Sequence, residues 1–121
     1  MLARLREAAR AAMDNGSPQA AAVLLGRALA EPPPLPQRAG VLREAARAEV
    51  SAGRDQACVL LEEALRLVSD RRERAVIALE VAEAYAALFQ WVDAVDVIQR
   101  ALAELGEADE FRERLIANGF A

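Results

Sequence analysis

Apolar residues recur every three or four positions along this chain, the spacing that places them on one face of an α-helix. The spacing predicts seven helices and no strand, and the first six are grouped as three pairs, each joined by a short turn. In chain order, the first three predicted helices span about 2–14, 18–31 and 37–52, and the fourth begins after Asp55. The fifth runs from Asp70 to about Phe89, the sixth spans 92–105, and a short last one spans 108–117.

The residues between these segments are typical of helix ends. Gly16 and Gly53 supply the left-handed conformation that closes a helix. Ser17 is expected to cap the second helix, with a proline at its first position, and Asp70 with a glutamate three residues later resembles a capping box. The run EPPPLP at 31–36 is interpreted as a stiff connector, rather than as a domain linker or a ligand for proline-recognising domains.

The three pairs repeat a common pattern of small residues. An Ala-Leu step near the end of each second helix recurs after 36 and then 37 residues, and another alanine precedes each step by seven residues. The corresponding positions are Ala28, Ala64 and Ala101 for the steps, Ala21, Ala57 and Ala94 for the preceding alanines, and Gly16, Gly53 and Phe89 for the turns. Such self-similarity is the signature of helical repeats that bury one face by stacking on their neighbours.

The third pair resembles the tetratricopeptide repeat. The positions that match the family pattern are Val81, Ala82, Tyr85, Leu88, Ala94, Ile98 and Ala101. The pair departs from the pattern at Phe89, where a turn glycine is usual, and at Gly106, where proline often stands, and the first two pairs lack the aromatic residues. By this resemblance Trp91 is expected to pack between its paired helices, and Tyr85 likewise. The alternative is an exposed Trp91 that anchors a partner.

The resemblance implies an all-α fold, a right-handed superhelix of three antiparallel helix pairs plus a C-terminal capping helix. A single domain would cover 1–121, with repeats over about 2–34, 37–69 and 71–106 and the terminal helix over 108–117. The function that this fold implies is protein–protein interaction or scaffolding.

A longer stretch resembles the helical-repeat arm of large LuxR-type, ATP-dependent transcriptional regulators of actinobacteria. It comprises AAAVLLGRALAEPPPLPQRAGVLREAARAEVSAGRDQA and, further on, DRRERAVIALEVAEAYAAL. The resemblance implies a regulatory arm in signal transduction, although the sequence contains no phosphate-binding GxxxxGK motif and no basic recognition helix. Two alternatives stay open: a stand-alone tetratricopeptide adaptor, and an arm that senses a small-molecule effector.

Composition narrows the classes of partner. A net charge of −4 argues against nonspecific binding of nucleic acid by the whole surface. The single cysteine cannot form an internal disulfide, the N-terminus lacks the apolar core of a signal peptide, and no stretch approaches the roughly 20 apolar residues that span a bilayer. We therefore expect a cytoplasmic protein with no membrane partner and no direct contact with nucleic acid.

The sequence predicts no catalytic site, no cofactor and no metal site. There is no histidine to act as a general base or a metal ligand. Cys58 lies on an amphipathic helix, which favours a buried small apolar residue over a nucleophile. Most carboxylates alternate with arginine and are interpreted as solvated helix faces, so enzymatic activity is not expected.

The candidate binding residues are charged side chains at equivalent places in successive pairs. Because the first helix of each pair lines the concave face of stacked repeats, aligning the turns places five residues there: Arg6, Arg10, Arg43, Arg47 and Glu83. Each arginine pair is spaced i, i+4, so its guanidinium groups project from one side of a helix and suit the carboxylates of an acidic peptide or protein. The alternative is an ordinary solvated face paired with Glu7, Glu44 and Glu49. Self-association through the exposed ends of a truncated array is a further expectation.

Overall fold

The computed structural model describes residues 1–31 and 33–105, together with Ala117, and within that part of the chain every regular element is a helix. The predicted terminal helix over 108–117 lies, Ala117 apart, outside the described residues. The six helices are α1 (Leu2–Asp14), α2 (Pro18–Ala30), α3 (Leu35–Ser51), α4 (Ala57–Leu67), α5 (Arg71–Ala87) and α6 (Trp91–Leu105). The all-α prediction is therefore confirmed for the described residues.

The helices fall into two compact units. The first unit, Met1–Leu67, contains α1 to α4, and the second, Val68–Ala121, contains α5 and α6. Within the first unit α2 packs against both α1 and α3, and α3 packs against α4. In the second unit α5 and α6 pack against each other.

The observed helix bounds lie within about two residues of the predicted ones. The helix α3 begins two residues earlier than predicted, at Leu35, so that Pro36 belongs to its first turn rather than to the connector. Proline is tolerated there because the first backbone N–H groups of a helix have no intrahelical acceptor. Ser17 stands at the predicted N-cap of α2, but its side chain makes no capping hydrogen bond.

The predicted cap of α5 is present. The carboxylate of Asp70 accepts a hydrogen bond from the backbone N–H of Glu73 at 2.9 Å. Next to it, the Arg71 guanidinium donates to the backbone carbonyls of Glu104 and Leu105, both at 2.7 Å. A cation that binds the last carbonyls of a helix satisfies their hydrogen-bonding capacity and the negative end of the helix dipole. The start of α5 thus fixes the end of α6.

Within each of the three helix pairs a turn joins the two helices, and the three turns have the same backbone geometry. In each turn a backbone N–H donates to a carbonyl five residues earlier, at 2.8 or 2.9 Å, the pattern of a Schellman motif. The residue before that donor has a positive φ in every case: +75° at Gly16, +73° at Gly53 and +60° at Phe89. The positions aligned in the sequence are therefore equivalent in conformation, although the third carries a bulky side chain where the other two have glycine.

The helices approach each other through alanine. The alanines that recur in the sequence near the start of each second helix (Ala21, Ala57 and Ala94) are all buried, as are those of the Ala-Leu steps (Ala28, Ala64 and Ala101). Larger side chains, among them Leu25, Leu42, Ile77 and Ile98, fill the spaces between them. The small residues let the backbones come close, and the large ones keep the packing dense.

The prediction for Trp91 is wrong. Its side chain is 56% exposed, and it contacts Phe89 edge to face, with ring centroids 6.4 Å apart, instead of packing between α5 and α6. Trp91 is the first residue of α6 and precedes Ala94, the first buried residue of that helix. Its indole therefore lies beyond the end of the close interface. Tyr85 is partly buried.

Two alanine substitutions are expected to shift stability in opposite directions. Gly26 lies in α2 with no heavy atom within 4 Å of a built Cβ, so Gly26→Ala should raise the free energy of unfolding by about 1 kcal/mol through helix propensity. Gly53→Ala should lower it by about 1 kcal/mol, because an L-residue is strained at that positive φ. Urea unfolding followed by circular dichroism measures both, and a gain from Gly53→Ala would contradict the turn assignment.

At Phe89 the left-handed conformation is expected to favour glycine over alanine. Phe89→Gly and Phe89→Ala both remove the ring, so their difference reports the backbone alone. We expect Phe89→Gly to be the more stable by about 1 kcal/mol. Thermal and urea unfolding of the two variants give the comparison; equal stabilities would mean that the turn relaxes to a different conformation.

Candidate functional site

A groove of about 370 Å³ lies between α1 and α3 in the first unit. The apolar residues of its lining are Ala9, Met13 and Leu25, and the charged residues are Arg10, Asp14, Glu44 and Arg47. Ala9 and Leu25 are buried and Met13 is partly buried. The groove is therefore amphipathic, with an apolar floor and a rim of both charges.

Helical spacing places the charged side chains on this rim. On α1, Arg6 and Arg10 are four residues apart and so project from one side of the helix. On α3, Glu44 and Arg47 are three residues apart and likewise share a side. Because α1 and α3 face each other here, the two arginines of α1 meet the carboxylate of α3.

Both arginines of α1 contact one carboxylate. The Nε of Arg6 lies 2.5 Å from one oxygen of Glu44 and donates a hydrogen bond to it. The Nε of Arg10 lies 3.5 Å from the other oxygen. The Arg6 side chain is 25% exposed, that of Glu44 15% and that of Arg10 62%. Arg6 is thus held close to a largely buried acid, while Arg10 makes a longer contact and remains accessible to solvent.

Gly40, one turn before Glu44 on α3, leaves space for this ion pair. A Cβ built on Gly40 would lie 3.3 Å from Nη2 of Arg6, which is closer than ordinary van der Waals contact. The guanidinium of Arg6 therefore rests against the bare backbone of α3 at this point. A larger residue at position 40 would require the guanidinium of Arg6 to shift by a few tenths of an ångström.

The polar groups that the groove offers are guanidinium and carboxylate groups. Guanidinium groups bind carboxylates through charge-assisted hydrogen bonds that are stronger than those between neutral groups. Among the described residues that line the groove, none carries a hydroxyl, a thiol or an imidazole.

The structure brings together three of the five predicted site residues. Arg6 and Arg10 share Glu44, and Arg47 lines the same groove. Arg43 is partly buried on α3 and is not one of the groove-lining residues. Glu83 is exposed on α5, in the second unit.

The alternative interpretation, a face paired with neighbouring carboxylates, holds in part. Glu44 is the partner of Arg6 and Arg10, but across two helices rather than along one. Glu49 lies 2.9 Å from Nε of Arg54 instead, an ion pair without hydrogen-bond alignment. Arg6 and Arg10 are therefore organised around one acid of another helix.

Sequence reasoning missed the groove floor and the role of Glu44 as a shared acceptor. Glu44 and Gly40 are one helical turn apart, so a small residue and an acid lie on the same side of α3. The two arginines of α1 are also four residues apart. The matching intervals on α1 and α3 are the signal in the sequence that could have indicated the shared ion pair. Met13 and Leu25 carry no such signal, because apolar residues at helical spacing are ordinary core positions.

In the described part of the chain, no group of three or more His, Cys, Asp or Glu side chains is arranged to hold a metal ion. No described helix is both long enough and apolar enough to cross a membrane. No family model matches the chain, and no curated protein matches it either.

Arg6 and Arg10 are expected to differ sharply in their contribution to stability. Arg6→Met keeps the apolar stem but removes the close partner of a largely buried acid, and it should lower the free energy of unfolding by about 1–2 kcal/mol. Arg10→Met should change it by less than about 0.5 kcal/mol, since exposed ion pairs contribute little. Urea unfolding of both variants tests this, and equal losses would mean that the arginines are interchangeable partners of Glu44.

Proposed function

We propose that this chain is a protein–protein recognition module whose groove between α1 and α3 binds an acidic segment of a partner protein. The observation that carries the proposal is the unequal sharing of Glu44. Arg6 is close enough to neutralise that carboxylate by itself. Arg10, at the exposed end of the same cluster, is therefore the cation that a carboxylate from a partner would meet.

The exchange of partners at Arg10 requires little desolvation. Its side chain is mostly exposed, and the contact that it gives up is long. A peptide carboxylate placed beside Arg10 gains a charge-assisted contact, while Glu44 keeps its hydrogen bond from Arg6, and Arg47 lines the same groove. The acidic groups on the rim, Asp14 and Glu44, repel an acidic ligand, so the attraction of the arginines has to outweigh this repulsion.

The apolar floor adds a second requirement. An apolar side chain next to the acidic one would cover the partly exposed Met13 as the carboxylate reaches the rim. Anchors of this kind supply affinity through burial, and the charged rim supplies selectivity. The preferred partner is therefore an acidic segment with interspersed aliphatic residues.

For the architecture, we propose that the three helix pairs are tetratricopeptide-like repeats arranged as a right-handed superhelix. The equal turn geometry of the three pairs supports this, together with the buried alanines at equivalent positions. The resemblance of the sequence to the helical arm of LuxR-type regulators favours a place in a bacterial transcriptional regulator. The reading frame of the natural gene tests this: a nucleotide-hydrolysing module upstream and a helix-turn-helix downstream are expected.

Binding is tested with a labelled acidic peptide. The probe is a fluorescein-tagged helical peptide of about 14 residues that carries leucine on one face and glutamate on the other. The double variant Arg10→Glu/Arg47→Glu should weaken binding about tenfold or more in fluorescence anisotropy, as reversal of two contacting charges removes at least about 1.4 kcal/mol. The melting temperature is expected to stay close to that of the parent, since Arg10 is exposed.

The matched control is Arg27→Glu/Arg66→Glu. Both residues are exposed on the second helices of their pairs, and the change in net charge is the same. The control should bind the acidic peptide like the parent apart from a small, salt-sensitive loss. If both double variants weaken binding equally, overall charge governs the interaction and the groove has no special part in it.

A further inference from the structure

Phe89 is an exception to the turn chemistry of this chain. The two corresponding turns place glycine at the positive φ, whereas the third places a phenylalanine there at +60°. A bulky residue in this conformation is a genuine outlier. Its ring is not part of the core, since the residue is 80% exposed. The fold therefore gains little from a side chain that strains its backbone, and such outliers cluster at sites of interaction.

Phe89 belongs to a contiguous apolar surface, which we call the hairpin-end surface: Phe89, Trp91, Val92 and Val95. The two rings meet edge to face, Val92 is 84% exposed, and Val95 is also exposed. Residues 91, 95 and 99 form one ridge of α6 and residues 92 and 96 the next, and a shallow depression of about 360 Å³ lies over them. The buried face of α6 (Ala94, Val97, Ile98, Ala101 and Leu105) is a different side of the helix.

Two carboxylates of α6, Asp93 and Asp96, are exposed beside this surface. Between Ala75 and Gln99 the chain contains no basic residue. Three arginines of the α5–α6 pair are at its opposite end, at positions 71, 72 and 74, and the fourth is Arg100. Of these, Arg100 reaches Asp96 at 3.3 Å, one helical turn away.

The helix dipole does not reverse the negative sign of these carboxylates. The N-terminus of α6 contributes roughly half a positive charge, which Asp93 in the first turn offsets. The hairpin end therefore combines exposed aromatic and aliphatic groups with two exposed carboxylates.

We propose that the hairpin-end surface is a docking site for a basic amphipathic helix of another protein. Tryptophan, packed with a second aromatic ring and flanked by valines, is the kind of anchor that dominates protein interfaces. The carboxylates favour lysine or arginine along the edges of the apolar stripe of the partner. A second copy of this chain is disfavoured, because its own hairpin end would bring the same negative charges to the interface.

This inference is independent of the proposed acidic-peptide groove. The groove belongs to the first unit and requires arginine, whereas the hairpin-end surface belongs to the second unit and presents carboxylates. Each can fail without the other. The two surfaces also predict opposite charge preferences, so one pair of probes distinguishes them.

The test uses Trp91, the single tryptophan of the chain, as the reporter. The full chain is titrated with a tryptophan-free helical peptide of about 14 residues that carries leucine on one face and lysine on the other. Docking should move the indole from water into an apolar contact, so the emission maximum shifts to shorter wavelength and saturates. The corresponding leucine–glutamate peptide should leave the emission unchanged, because it binds away from Trp91.

Variants locate the binding site. Val92→Ser/Val95→Ser removes exposed apolar groups beside Trp91 and should weaken binding of the lysine peptide about tenfold or more. Asp93→Asn/Asp96→Asn should weaken it and reduce its salt dependence. The matched control is Val23→Ser/Val59→Ser, two exposed valines of the first unit, which should leave the affinity unchanged. Melting temperatures within a few degrees of the parent verify folding of all three variants.

Three outcomes would overturn the proposal. The first is equal binding of the lysine and glutamate peptides at Trp91, and the second is equal loss of affinity in the two valine double variants. The third is concentration-dependent dimerisation in sedimentation that Val92→Ser/Val95→Ser abolishes, with no binding of the lysine peptide to the monomer. That last result would assign the surface to a second copy of the chain.

Discussion

The close approach of helices through alanine is the constraint on which the rest of this structure depends. With aromatic residues forming only 4% of the chain, there are few large side chains to hold helices apart. Alanine contributes little buried area by itself, so stability has to come from dense packing of many contacts at short range. Each Schellman turn serves this end, because it returns the chain at once beside the helix that it has just left.

Dense alanine packing also decides where the chemically distinctive side chains lie. Long or bulky groups that do not fit between closely packed backbones lie at the margins of the interfaces. Arg6 and Arg10 extend from α1 to the carboxylate of Glu44 on α3, and Trp91 lies at the end of the α5–α6 pair. With the exception of Phe89 in its turn, both surfaces are carried by helices, so their side chains are positioned by rigid elements. They differ in sign, one centred on guanidinium groups and the other on carboxylates.

Phe89 departs from the preference for glycine at a positive φ, and this departure indicates a role other than stabilising the fold. Sequence, conformation and burial agree at Gly16 and Gly53, where glycine has the positive φ that the turn requires. At the third turn the conformation is kept, but the residue does not suit it. Consistency across these levels is what specifies a fold, and the places where it breaks are those at which function is expected.

By itself, the sequence determined the local structure: six helices, their turns, the Asp70 cap and the positions of the buried alanines. These follow from helical periodicity and from the preferences of glycine, proline and aspartate, which act over a few residues. Only the tertiary structure decided that Arg6 and Arg10 share Glu44, 38 residues beyond Arg6, and that Trp91 faces solvent. Contacts between side chains of two helices depend on the distance and orientation of the helix axes and on the side-chain rotamers. The spacing of residues along one helix encodes none of these.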